Sequence, residues 1–180
     1  MGYWNTRGLR GSTFEEMVNL TNEAYRAKGL AVIQKMPTPI TPVRLNKATR
    51  TIEAAYFERK STVDYIGAVQ GIPIAFDAKE TTQKNLPLQN IHGHQIEFMR
   101  DFQRQGGVAF LLVRFALADR VFLLPFDQLG GFWEQARAGG RKSIPISKFD
   151  EDLTAAGKGG AMVHYLEPLN IYLQRRNRIT

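Results

Sequence analysis

Two runs in the second half of the chain, "VAFLLVRF" (108–115) and "RVFLLPF" (120–126), constrain the fold more than any other feature. Each is apolar at almost every position. A strand with one face in water alternates apolar and polar residues, so near-continuous apolar runs of this length belong in a sheet covered on both sides. The cover has to come from amphipathic helices, and the flanking segments supply them. "STFEEMVNLTNEAYRAKG" (12–29) places Phe14, Met17, Val18, Thr21 and Tyr25 on one face, with Ser12 or Thr13 to cap it and Gly29 to end it. "LQNIHGHQIEFMRDFQRQGG" (88–107) reads as a helix stopped by Gly106 and Gly107, with Ile91, Phe98, Met99 and Phe102 as its inward stripe. "QLGGFWEQARAGG" reads as a short helix, "GGRKSIP" as a basic loop and "LNIYLQRRNR" as a helix with a basic end.

"LAVIQKM" (30–36) reads as a strand, and the segment after it is unusual. Pro37, Pro39 and Pro42 forbid a helix at the start of "PTPITPVRLNKATRTIEAAYFERKS", and no helical stripe succeeds them. Lys35, Arg44, Lys47, Arg50, Arg59 and Lys60 outweigh Glu53 and Glu58 here. The segment from about 36 to 60 is expected to be an extended, two-stranded excursion between core strands, too long for a plain loop. "TVDYIGAVQGIPIAFDAKE" then gives a strand, a turn near Gly71 and a second strand. The element order predicts an α/β fold, a mixed central sheet flanked by helices, in one domain spanning residues 1–180.

The chain carries 24 Lys and Arg against 17 Asp and Glu, a formal net charge of +7. Such a balance raises polyanions, nucleic acid first among them, as partners. There is no Cys, and only His92, His94 and His164. Disulfide frameworks and thiolate zinc sites are excluded, and any metal is expected to be hard and oxygen-ligated, Mg²⁺ or Mn²⁺. No apolar run approaches the roughly 20 residues of a membrane span, and "MGYWNTRGLRG" lacks a signal-peptide core, so a cytoplasmic location without membrane attachment is expected.

The candidate chemistry lies in "GIPIAFDAKETT" (71–82). Ile72, Ile74, Phe76 and Ala78 share one face of an extended strand, which leaves Asp77 and Lys79 side by side on the other. An isolated acid-x-lysine pair is most often an exposed ion pair contributing roughly 0–1 kcal/mol. Other residues shift the balance. Asp64 precedes Asp77 across the predicted turn, and in a hairpin the two carboxylates converge into a seat for Mg²⁺, which takes few carboxylates and keeps water and phosphate oxygens. The ion would polarise a phosphoryl group, and Lys79 would orient the attacking water or stabilise the transition-state charge. Thr62 shares the strand face of Asp64. Gln95 sits on the core stripe of its helix, where a buried amide needs either a backbone or a metal partner. Glu15 belongs to one of two capping boxes, Ser12 to Glu15 or Thr13 to Glu16, and the second would free it to approach the sheet edge. His92 and His94, two apart, would face different ways on a helix and could not share an ion.

Gly11, Phe14 and Glu15 on a first helix, then Asp64, then Asp77-Ala78-Lys79, resemble the PD-(D/E)xK nuclease superfamily. Within it, "KSTVDYIGAVQGIPIAFDAKET", "HGHQ" and "GGRKSIP" are similar to the RecU-type Holliday junction resolvases, from about residue 7 to the 140s. The resemblance implies a restriction-endonuclease-like fold with a projecting basic stalk at about 36–60, and a homodimeric, Mg²⁺-dependent endonuclease that cuts four-way DNA junctions symmetrically in recombination and repair. It implies metal positions at Thr62, Asp64, Asp77 and Gln95, Lys79 as transition-state stabiliser and Glu15 as the helix acid. Arg7, Arg10, Lys35, Arg44, Lys47, Arg50, Arg59, Lys60, Arg141 and Lys142 become expected DNA contacts. Recombinase and branch-migration proteins become expected partners. The family usually has Glu where Asp77 stands. The alternatives are a duplex-cutting restriction or repair nuclease of the same superfamily, and a catalytically inactive junction-binding or strand-annealing protein.

Overall fold

Residues 12–37, 40–57 and 62–178 are described by a computed structural model. Helix α1 (Ser12–Ala27) leads into β1 (Val32–Lys35), then β2 (Ile40–Asn46) and β3 (Thr51–Phe57). Next come β4 (Tyr65–Val69), β5 (Ile72–Thr81), β6 (Asn85–Pro87) and α2 (Gly93–Arg104). The chain continues through β7 (Val108–Phe115), β8 (Arg120–Pro125), α3 (Phe126–Arg137), β9 (Ser143–Pro145) and α4 (Leu166–Asn177). Five strands form the central sheet in the order β1-β4-β5-β7-β8. The sheet is mixed because α2 carries the chain back from β5 to a parallel β7, while every other pairing in it is antiparallel.

The apolar runs behave as their composition demands. Phe110 and Leu112 of β7 join Ile74, Phe76 and Ala78 of β5 in a core under α1 and the segment leading into α4. Ala109, Leu111 and Val113 join Ala75 in a second core with Ile96 and Met99 of α2 and Leu129 of α3. Tyr65, Phe76 and Phe110, one from each of β4, β5 and β7, stack with ring centroids 4.8 Å apart at both steps. That stack locks the three strands on which the polar residues depend. The turn between β4 and β5 uses Gln70 (φ 47°) and Gly71 (φ 89°), the two consecutive positive values that match the twist of a tight hairpin.

The predicted excursion is a hairpin of β2 and β3, its described side chains largely exposed. Its tip is ordered by Asn46, whose Oδ1 accepts from Ala48 N–H (3.1 Å) and Thr49 N–H (3.2 Å) while Nδ2 donates to Glu53 Oε1 (3.1 Å). Its root is fixed where Met36 N–H donates to Asp64 C=O at 2.8 Å.

Three expectations need correction. The helix expected over 88–107 starts only at Gly93: Pro87 closes β6, and Leu88–Asn90 is a single 3₁₀ turn. Ile91 is buried ahead of the helix, and α2 itself buries Gln95, Ile96 and Met99, with Phe98 and Phe102 only partly covered. "GGRKSIP" is not all loop, because Ser143–Pro145 pairs antiparallel with Asn85–Pro87 to form a small ribbon. His92 precedes α2, so helical spacing does not separate it from His94, and their rings stack at 5.3 Å.

Phe76→Ala should destabilise the protein by about 3–5 kcal/mol, as truncation of a fully buried aromatic does. Urea unfolding followed by circular dichroism measures this as a lower midpoint at unchanged slope.

Candidate active site

Tyr65 faces Phe76 across the β4–β5 ladder, so one step further on Asp64 lies opposite Asp77. Backbone amides hold the two acids together. Asp64 N–H donates to Asp77 Oδ1 at 2.7 Å, and Ala78 N–H donates to Asp64 Oδ2 at 3.4 Å. Asp77 is completely buried, and no hydrogen bond reaches its Oδ2. Lys79 Nζ lies 3.2 Å from that oxygen, close enough for charge attraction but without hydrogen-bond alignment. Strand alternation brings the lysine there, as expected, with Ala78 turned into the opposite core.

Helix α1 supplies the third acid. Tyr65 Oη donates to Glu15 C=O (3.3 Å) and to Asn19 Oδ1 (2.9 Å), tying the helix to β4 beside the acid pair. The Glu15 carboxylate is bound by Lys35 Nζ at 2.5 Å. Tyr65, a positioning residue, is not among the residues the sequence singles out. Its hydroxyl beside an acid on α1 is a tertiary fact with no local signal.

Burial, foremost, pushes the Asp64 carboxyl up to about 6, and the negative charges of Asp77 and Glu15 add to the effect. Lys79 and the Ala78 amide pull the other way without overcoming it. Among the described residues no group of three or more His, Asp or Glu side chains forms a metal-holding cluster. The donor set is a carboxylate pair.

The remaining expected positions divide. Thr62 is exposed two residues before Asp64. Gln95 is buried on α2, but its Oε1 accepts from His92 N–H at 3.0 Å, so in this structure it caps its own helix. Arg44, Lys47 and Arg50 are exposed on the hairpin, and Arg141 and Lys142 before β9. Lys35 is exposed and paired with Glu15. Arg7, Arg10, Arg59 and Lys60 lie outside the described residues.

Carboxylates facing each other across two strands, with a lysine two residues beyond one of them on a mixed sheet, match the restriction-endonuclease-like nuclease class. The family model described as "RecU: Recombination protein U" matches residues 9–171. The chain is 49% identical over 142 residues to "Holliday junction resolvase RecU" of Geobacillus sp. (strain WCH70), covering 77% of this chain and 71% of that protein. It is 41% identical over 176 residues to the protein of the same name from Pediococcus pentosaceus, covering 96% and 85%. Among solved structures, Archaeoglobus fulgidus Hjc, described as a Holliday junction resolvase, aligns with a TM-score of 0.39 at 16% identity, covering 66% of this chain and 74% of that one. The chain belongs to the RecU family. The match runs beyond the 140s into α4, further than local motifs reached.

A carboxyl whose folded value is about 6 against an ordinary 3.8 binds more protons folded than unfolded between those limits. Its contribution favours the folded state in acid and is lost as pH rises through 6, at roughly 3 kcal/mol by neutrality. Asp64→Asn, in chelator at pH 7.5, should therefore melt several degrees above the parent. Differential scanning calorimetry should show that gap shrinking as pH falls from 6 towards 4.

Proposed function

We propose that this chain is a divalent-metal-dependent endonuclease that resolves four-way DNA junctions, acting as a homodimer of single nuclease domains whose β2–β3 hairpins serve as stalks. The observation carrying the site assignment is Asp77 Oδ2, a fully buried carboxylate oxygen that no hydrogen bond reaches. Lys79, 3.2 Å from that oxygen, is one positive charge facing two neighbouring carboxylates, and a further cation is the partner that would compensate the remaining negative charge. The residues present fit such an ion. Asp64 and Asp77 would hold Mg²⁺, or Mn²⁺ in its place, since Mg²⁺ takes one or two carboxylates and keeps its other positions for water and phosphate oxygens. Thr62, and Gln95 once released from His92, would complete the donor set. The bound ion would supply Lewis-acid polarisation of the scissile phosphate.

The protein's own groups carry the rest. Lys79, held by charge against Asp77 Oδ2, presents an ammonium where the phosphoryl oxygens gain negative charge during in-line displacement. Its attraction to Asp77 positions it before substrate arrives. Glu15, fixed through Lys35 and the Tyr65 hydroxyl, places a further negative group at the rim.

The choice of a junction as substrate rests on the relatives' printed names and on where the hairpin is rooted. Met36 and Asp64 are hydrogen-bonded to each other, so the hairpin leaves and re-enters the core at the acid pair. Its seven-residue strands reach roughly 20 Å. Arg44, Lys47 and Arg50 lie at and beside its tip, where they would neutralise backbone phosphates. A four-way junction offers two symmetric strands, and a twofold dimer offers two matched sites.

The test is cleavage of an immobile four-way junction and a matched linear duplex, with Mg²⁺ or chelator. Paired nicks in the junction alone are expected, with Asp77→Asn cutting at least about a thousandfold more slowly while still binding. Equal cutting of duplex would replace junction resolution with ordinary duplex cleavage. Deleting residues 38–57 should leave melting within a few degrees of the parent and abolish the preference for junction over duplex in a gel-shift titration. Binding should weaken steeply between 50 and 200 mM salt.

A further inference from the structure

Resting on that reading, we propose that a cleft beside the end of β5 holds one unstacked nucleobase next to the scissile phosphate. The cleft, about 420 Å³, lies between the β6–β9 ribbon and the C-terminal half of α3. It belongs to none of the residues assigned to cleavage, yet its wall continues the catalytic strand. After Lys79 the chain ends β5 at Thr81 and passes through Gln83 to Asn85. Thr81 is buried and braces this passage, its hydroxyl accepting from Gln83 N–H and donating to Asn85 C=O, both at 3.1 Å. Asn85 lies six positions after Lys79, at most roughly 20 Å of extended chain, a span of a few nucleotides.

The lining has the chemistry of base recognition. Trp133, partly buried against the α2–α3 core, offers an aromatic face for stacking. Gln83, Asn85 and Gln89 bring carboxamides, which both donate and accept as the edges of bases do. Asn85 Nδ2 donates to Ser143 Oγ at 3.2 Å, so that amide is oriented by the facing strand of the ribbon. Arg137 and Lys142 are exposed at the mouth, and among the described residues no carboxylate lines the cleft. An aromatic surface, three amides and two cations without an acid complement a nucleotide, its base inside and its phosphate at the rim. The branch point is where such a base is cheapest to extract, because extraction costs least where stacking is already weakened. The cleft would thereby impose a base preference near the cut on an enzyme that otherwise recognises shape.

The test uses full-length Asp77→Asn protein on immobile junctions carrying one 5-iododeoxyuridine at each of the nucleotides flanking the cut. Irradiation should crosslink Trp133 from one or two adjacent positions on one side of the cut, identified by peptide mass spectrometry. In otherwise unmodified protein, Gln89→Ala and Trp133→Phe should change relative cutting across the four bases at that position about fivefold or more. Crosslinks that map elsewhere, or base preferences unchanged in both variants, overturn the cleft assignment. An unmodified protein that neither binds nor cuts junctions overturns the reading beneath it. One that cuts junctions without a Trp133 crosslink overturns the cleft alone.

Discussion

Two carboxylates are held together out of water by backbone amides, and the rest of the structure is arranged to make that tolerable. Asp64 donates its own N–H to Asp77 Oδ1, an arrangement that exists only in one register of β4 against β5. A slip of one residue would turn Asp77 and Lys79 into the core beneath α1 and carry Phe76 and Ala78 to the face that holds the acids. The two-residue turn at Gln70 and Gly71 and the Tyr65–Phe76–Phe110 stack pin that register. The aromatic core thus does more than stabilise: it fixes the spacing of two like charges that would otherwise separate. The raised Asp64 carboxyl is the thermodynamic trace of this strain, a site less stable empty than a neutral one would be.

The hairpin is joined to the same point. Its two ends are stitched by the bond between Met36 and Asp64, so the projecting basic arm and the acid pair share a backbone residue. Lys35 reinforces the arrangement, standing at the end of β1 and binding Glu15 of α1. One lysine thereby links the strand that feeds the arm to the helix flanking the site.

Most of the architecture was legible wherever one physical rule acted alone. Alternation along 72–78 placed Asp77 and Lys79 together, apolar continuity marked β7 and β8, and proline with charge marked the arm. Legibility failed where residues distant in the chain compete with a local pattern. Leu88 reads as the start of a helix, but just before it Leu86 is buried in a strand paired with Ile144, and the helix begins only at Gly93. Gln95 on a core stripe was readable as either a structural amide or a ligand, and the fold gives its oxygen to the His92 amide. His92 and His94 were separated by a periodicity that does not apply to a residue preceding the helix.

Sequence alone determined the composition of each strand face, the insertion of a basic hairpin between core strands, and a pair of acids with a lysine available to converge. These come from period-two geometry, from proline and from side-chain polarity, all local. Tertiary structure alone decided that Asp77 is wholly buried with one oxygen reached by no hydrogen bond, that Glu15 pairs with Lys35, and that the Tyr65 hydroxyl ties α1 to the acid pair. Burial and hydrogen-bond choice depend on which distant segments pack together, and no local pattern encodes that competition.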